Sequence, residues 1–237
     1  MIAQTTWGNW WLAVAASVTF AVVAYTIRGV TRSGAITGAC ICFLLYGTVG
    51  PRALAVLLIV FILTWLSTRF GYAKKQMLGT AEARTGRTSS QILANLGVAT
   101  GCAGLFAMSN RPVFLLAMAA AFSEAAVDTV SSEFGQATRN HAYLITTWGP
   151  VPAGTNGGIS LPGTLAGISA AAVVSLFCAT SGLLNWKWAA FAGSAGILGM
   201  LADSFLGALL EQRRILNNNA VNFLGTLLAA IAAVLLA

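Results

Sequence analysis

With 57% hydrophobic and only 8% charged side chains in 237 residues, the chain carries too much apolar sequence for a water-soluble domain. Its mean hydropathy is +0.80, and apolar runs of membrane-crossing length recur from end to end, which makes it a polytopic membrane protein. The net charge of +7 is spread over the loops, a pattern of membrane topology and anionic ligands rather than of nucleic-acid binding.

Taken in chain order, the apolar runs predict one all-α transmembrane domain over residues 1–237, a bundle of about eight helices. The spans fall at 9–27, 34–50, 52–67, 91–109, 112–130, 163–181, 186–207 and 219–237, with 34–67 readable as a hairpin turning at Gly50-Pro51. The first run has neither a basic leader nor a small-residue cleavage site before a mature domain, so it reads as a retained helix. Alternating these spans places 28–33, 68–90, 131–162 and 208–218 on one side. That side holds ten basic residues (Arg28, Arg32, Arg69, Lys74, Lys75, Arg84, Arg87, Arg139, Arg213 and Arg214), against Arg52, Arg111 and Lys187 on the other. The positive-inside rule assigns the first side to the cytoplasm and both termini to the outside. The expected location is a bacterial inner membrane, with a site facing the cytoplasm.

Chemistry-bearing residues are few. Four cysteines (Cys40, Cys42, Cys102, Cys178) lie in apolar runs without ligand spacing, and a single His141 cannot build a zinc or iron site. The basic stretch 68–90 interleaves Arg69, Lys74, Lys75, Arg84 and Arg87 with glycine, threonine and serine. Such a segment either attracts anionic lipid head groups without a shaped site or clamps phosphate oxygens. Glu124 and Asp128 stand four residues apart in an apolar run, hence on nearly one helix face, and Asp203 interrupts another run. Acids at such positions are costly unless solvated or paired, and structural helix–helix hydrogen bonds are the bland alternative to function. Glu133 joins them if the helix ends or bends near Ser131-Ser132. Hard oxygen ligands from two helices suit Mg²⁺, which takes one or two carboxylates together with water and phosphate oxygens; a proton or sodium relay uses the same residues. V-D-T-V-S-S-E-F-G at 127–135 is echoed by A-D-S-F-L-G-A-L-L-E at 202–211, as two half-sites across one cavity would be. The Gly/Pro-rich 131–162 loop contains T-T-W-G-P-V-P-A-G-T-N-G-G, whose backbone N–H groups can form an anion nest running toward the helix that starts near Gly163. Asn217, Asn218, Asn219 and Asn222 exceed what helix capping requires.

The order of these motifs resembles the integral-membrane family that includes the phytyl-phosphate kinase of tocopherol synthesis. The resemblance runs through S-G-A-I-T-G (33–38), T-R-F-G-Y-A-K-K (68–75), G-R-T-S-S-Q-I-L-A-N (86–95), E-A-A-V-D-T-V-S-S-E-F-G (124–135), the 146–164 loop, A-D-S-F-L-G-A (202–208) and L-N-N-N-A-V-N (216–222). It implies transfer of a phosphoryl group from a nucleoside triphosphate, often CTP, to an isoprenoid monophosphate, and a distant similarity to CTP-dependent lipid kinases. The chain departs from that pattern in its short 34–67 segments and in the short tract between Leu210 and Leu216.

Together, residues and resemblance give an expected site. Glu124, Asp128, Glu133 and Asp203 hold Mg²⁺, with Asp128, Glu133, Asp203 and Lys74 as the catalytic groups. Nucleotide and phosphate contacts fall to Arg69, Lys75, Arg84, Arg87, Asn95, Thr146, Gly154, Thr155, Asn156, Gly157, Gly158, Asn218, Asn219 and Asn222. The partners expected are a nucleoside triphosphate, an isoprenoid phosphate lipid and the bilayer, and no nucleic acid. The rivals are a membrane cytidylyltransferase, a CTP-dependent prenol kinase, an ion-coupled transporter or lipid-phosphate flippase, and a structural subunit.

Overall fold

The computed structural model describes residues 10–237, so the expected start of the first span at residue 9 and the side of the N-terminus lie outside the described residues. Apolar segments in hydrocarbon must satisfy their own backbone, and the apolar runs of the described chain do so as helices. It forms α1 (Trp10–Thr26), α2 (Arg32–Thr48), α3 (Pro51–Arg69), the short α4 (Tyr72–Met77), α5 (Ser89–Ser109), α6 (Val113–Thr138), α7 (Leu161–Thr180), α8 (Trp186–Leu206) and α9 (Asn218–Leu236). Six of these are long and apolar enough to cross a membrane; α1 and α2, at 17 residues each, complete the eight expected spans. Large apolar side chains such as Val22, Leu58, Leu105, Leu176 and Leu228 point outward, as they must when lipid is the solvent.

Helix α6 is the axis of the bundle. Of its apolar stretch 78% is buried, against 33–44% for the other five long helices, and α3, α5, α7, α8 and α9 all pack around it. Its run of small residues (Ala117, Ala119, Ala120, Ala121, Ala125, Ala126, all buried) explains this, because alanine lets neighbouring backbones approach closely. Helix ends are capped as the sequence suggests. Thr31 Oγ1 accepts from Gly34 N at 3.1 Å, Gln91 Oε1 from Thr88 N at 2.8 Å, and Asn185 Oδ1 from Trp188 N at 2.8 Å. α2 and α3 form the expected hairpin at Gly50-Pro51, with proline in the first turn of α3.

The longer connections meet at one end of the bundle. Arg87 N donates to Gly29 O and Thr31 N to Arg87 O, each at 3.0 Å, zipping the α1–α2 loop to the entry of α5. Gln212 Nε2 donates to Asn156 O at 2.7 Å, joining the α6–α7 connection to the end of α8. At the opposite end Arg52 Nη1 donates to Gly182 O at 3.1 Å. The loop grouping expected from the charges is therefore the grouping of the fold.

Three boundaries differ from expectation. Helix α6 does not end or bend out of helix near Ser131-Ser132 but continues to Thr138, because nothing in S-S-E-F-G-Q-A-T breaks it. The bundle is not purely helical: residues 141–159 fold into a small antiparallel sheet of order β2-β1-β3, from β1 (His141–Leu144), β2 (Pro150–Pro152) and β3 (Gly158–Ile159), with Tyr143 opposite both Pro150 and Ile159. Alternation in H-A-Y-L and the turn-forming T-T-W-G explain the hairpin. The basic connection 68–90 contains α4 and the first residues of α5.

Candidate functional site

Two cavities open at the loop end, side by side. The first, of about 390 Å³, lies among α1, α2, α3 and α5, with walls such as Phe20, Leu57, Val60 and Phe61 and a mouth carrying Arg28, Arg69, Arg84 and Arg87. The second, of about 290 Å³, is polar. Asp128, Thr129, Ser131, Ser132, Glu133 and Gln136 of α6 line it, as do Asp203, Ser204 and Glu211 of α8 and its extension, Asn218 and Asn222 of α9, and the 153–160 turn. Glu82, Arg87, Gln91 and Asn95 line both.

The shared wall is built rigidly. Gly86 has φ +86°, and a Cβ there would fall 2.4 Å from Val30 N, so the chain before Arg87 fits against the α1–α2 loop only as glycine. Arg87 Nη2 then reaches across to Thr129 Oγ1 on α6 at 3.3 Å. Gln91 Nε2 donates to both carboxylate oxygens of Glu82 (3.3 and 3.1 Å), and Asn95 Nδ2 donates to Gln91 O at 2.8 Å.

The expected acids separate by role. Asp128 and Asp203, from the two echoed segments, both line the polar cavity. Glu124 does not reach that cavity. It is 1% exposed one turn deeper, against Gly199 of α8 and Gly225 of α9; a Cβ on Gly225 would meet Glu124 Oε1 at 2.5 Å and Asp203 Oδ2 at 3.3 Å. Both of those oxygens are buried without a hydrogen-bond partner. Glu133, on the cavity wall, forms an ion pair with Lys75.

That pair corrects the expected lysines. Lys75 is fully buried and its ammonium donates to Ser67 O (3.1 Å), Thr68 O (2.8 Å) and Glu133, so all three donors are in use and none is left for a phosphate. It fastens α4 to α3 and α6 instead. Lys74 is half-buried and lines neither cavity. Thr146, between β1 and β2, and Asn219 also line neither, whereas Gly154, Thr155, Asn156, Gly157 and Gly158 all line the polar cavity. Gly157 has φ +77°, and a Cβ on it would fall 2.6 Å from Ala208 N, which seats the turn directly on the end of α8.

The sequence reading missed Glu82, Gln91, Ser204 and Glu211. The signal for Glu211 was the echo itself, which ends in this residue. What hid it is a π-helical turn, Gly207–Glu211, which shifts its angle about the helix axis. Buried Trp65 Nε1 and Thr68 Oγ1, near the apolar cavity's mouth, have no hydrogen-bond partner.

Among the described residues no three His, Cys, Asp or Glu side chains are gathered closely enough to hold a metal by themselves. Asp128 and Asp203, which line the polar cavity from two helices, fit the lighter demand of Mg²⁺, which binds through one or two carboxylates and completes its shell with water and phosphate oxygens. Of the four expected carboxylates Asp128, Glu133 and Asp203 line the cavity, Glu133 being paired with Lys75, and Glu124 does not.

Comparison with known proteins gives consistent relatives. The family described as "Integral membrane protein DUF92" matches residues 15–230. The chain is 35% identical over 212 residues to the uncharacterized membrane protein MJ0933 of Methanocaldococcus jannaschii, covering 88% of this chain and 86% of that one. It is 33% identical over 196 residues to the uncharacterized membrane protein sll0875 of Synechocystis sp., covering 81% and 76%. It is also similar to "Protein VTE6, chloroplastic" of Arabidopsis thaliana, at 29% identity over 89% of this chain and 66% of that protein. No solved structure gives a significant match.

Proposed function

From the premise that this chain belongs to the DUF92 family of integral membrane proteins, the family its motifs resemble, we propose that it transfers a phosphoryl group from a nucleoside triphosphate to an isoprenoid monophosphate, giving the diphosphate. The observation that carries this reading is the pair of adjoining cavities. A polar one is lined by carboxylates and asparagines, an apolar one has an arginine mouth, and Glu82, Arg87, Gln91 and Asn95 form their common wall. A hydrophilic donor and a lipid acceptor need such neighbouring sites.

In this reading the triphosphate lies in the polar cavity, along the 154–158 turn and Asn218 and Asn222. Asp128 and Asp203 would hold Mg²⁺, which neutralises developing charge on the phosphate oxygens. Arg87 spans both cavities and draws the acceptor phosphate toward the γ-phosphorus. An acceptor oxygen forms the new P–O bond, the bond to the β–γ bridging oxygen breaks, and the nucleoside diphosphate leaves with that electron pair. An acceptor that is already an ionised phosphate needs no general base, so catalysis rests on positioning and electrostatic stabilisation. CTP is the proposed donor on the family resemblance, and the basic loop end is proposed to face the cytoplasm.

The test is purified protein with Mg²⁺, each of the four nucleoside triphosphates, and phytyl, geranylgeranyl and farnesyl monophosphates. Mass spectrometry reads prenyl diphosphate and nucleoside diphosphate. Release of inorganic diphosphate with a CMP-linked lipid would establish the cytidylyltransferase rival, and no product with any pair would remove the kinase reading.

A further inference from the structure

The apolar cavity has three features that a closed, self-sufficient helix bundle would lack. First, it is long: Leu57 and Arg69, both in its wall, are twelve residues apart on α3, or about 18 Å at 1.5 Å per residue, over half the ~30 Å hydrocarbon core. Second, polarity is confined to one end, where the arginine mouth adjoins Trp65 Nε1 and Thr68 Oγ1, buried atoms without a hydrogen-bond partner. The indole N–H can only donate, so its partner is an acceptor, and the neighbouring guanidinium groups favour one that carries negative charge. Arg69 itself is placed with its fork over the Trp65 ring, 5.3 Å from the centroid, and spends one donor on Ile27 O at 2.8 Å.

Third, aromatic rings stand between α1 and α3 at the cavity wall. Helix α1 packs along α2, and α3 meets α1 through Phe61, edge-on to Phe20 with centroids 5.1 Å apart. Phe61 also lies over Gly29, where a Cβ would approach its ring within 2.9 Å. Rings on two different helices can part by side-chain rotation without breaking a backbone hydrogen bond.

We propose that this cavity binds a single-chain lipid phosphate taken sideways from the bilayer between α1 and α3. Its head lies against Arg28 and Arg69 with Trp65 N–H and Thr68 O–H donating to it, and Phe61 determines the chain length admitted. The identity of this lipid as the phosphoryl acceptor rests on the reading above; the binding site stands on the cavity alone. A volume of about 390 Å³ is at the low end of ordinary ligand sites and favours one chain over two, so diacyl phosphates are expected to compete poorly.

Gly38 supplies the cleanest probe. It lines the cavity from α2, and a Cβ there meets nothing within 4 Å, so Gly38→Phe fills the cavity without a clash where the side chain leaves the backbone. Farnesyl and geranylgeranyl monophosphates carrying a tail diazirine would be photolysed with the full chain in nanodiscs, and labelled peptides mapped by mass spectrometry. Labelling is expected on α1 and α3 around Phe20 and Phe61. Unlabelled single-chain phosphate should compete, while phosphatidic acid and inorganic phosphate should not. Gly38→Phe should lower geranylgeranyl labelling at least about tenfold, and Phe61→Ala should shift preference toward the longer chain by a similar factor. Arg69→Gln should weaken labelling at both lengths.

Labelling confined to outward residues such as Leu58 or Leu66, or competition by phosphatidic acid, overturns the proposal. So does undiminished labelling of Gly38→Phe. Cavity labelling without any diphosphate product would remove the kinase reading and keep this site; diphosphate production with labelling elsewhere would do the reverse.

Discussion

The two cavities share a wall but are made in opposite ways. The apolar one is walled by hydrocarbon and small side chains of several helices, Phe20 and Ala24 of α1, Gly34 and Gly38 of α2, Val60 and Phe61 of α3, with charge admitted only at its mouth. The polar one is lined by the polar second half of α6, the end of α8, the start of α9 and a turn of the small sheet. The contrast follows from the solvent. Mid-membrane positions tolerate hydrocarbon and small residues, whereas helix ends bring polar side chains and backbone groups to the interface. Only a residue held at the boundary can serve both, and Arg87, fixed through its backbone to residues 29–31 and through its side chain to Thr129, is so held.

The sharpest way to break the comparison is to neutralise the polar cavity alone. Asp128→Asn and Asp203→Asn should each lower diphosphate formation by about a hundredfold to a thousandfold, the usual cost of one preorganised electrostatic group. Photolabelling of the apolar cavity by lipid phosphate should persist in both. Equal loss of labelling would mean that the cavities are one site.

A change between the cavities and the scaffold comes next. Lys75→Met strands the Glu133 carboxylate, and loss of one partner of a buried ion pair costs about 3–5 kcal/mol, readable as a large drop in the unfolding midpoint in detergent. Lys75→Met with Glu133→Gln should recover most of that stability. If the single variant is as stable as wild type but inactive, Lys75 contacts phosphate and the anchoring role is wrong.

The shared wall predicts a smaller, divided effect. Arg87→Gln should raise the KM for both nucleotide and acceptor, each by about tenfold, since a charge-assisted contact is worth roughly 1.5–3 kcal/mol. Arg69→Gln, at the apolar mouth only, should raise the acceptor KM and leave that of the nucleotide unchanged.

What the sequence made legible follows the same division. The eight spans and the grouping of loops could be read because hydrocarbon and the positive-inside rule each act on composition alone. That Asp128 and Asp203 line a cavity could be read because a carboxylate in an apolar run needs a reason. Contacts between distant segments were not legible. Glu133 and Lys75 looked like two ligands, and only the approach of α4 to α6 shows that they neutralise each other. Glu211 was hidden by a π turn that no periodicity anticipates. The sheet at 141–159 was passed over because its strands are two to four residues long, too short for alternation to show.

The asparagines offer the smallest and most discriminating effect, because the tract Asn217–Asn218–Asn219 looks uniform and the fold divides it. Asn217 is the N-cap of α9, its Oδ1 accepting from Ala220 N at 2.9 Å. Asn218 and Asn222, one turn apart on the helix, face the polar cavity, and Asn219 faces neither cavity. Asn217→Ala should therefore cost about 1 kcal/mol of stability, the ordinary worth of such a cap, with little change in the nucleotide KM. Asn222→Ala should do the opposite, leaving the unfolding midpoint in place and raising the nucleotide KM several-fold. Asn219→Ala should do neither. A nucleotide KM that moves with Asn219 and not with Asn222 would mean that the first turn of α9 is rotated relative to the cavity, and the donor would then have to be placed against the opposite wall.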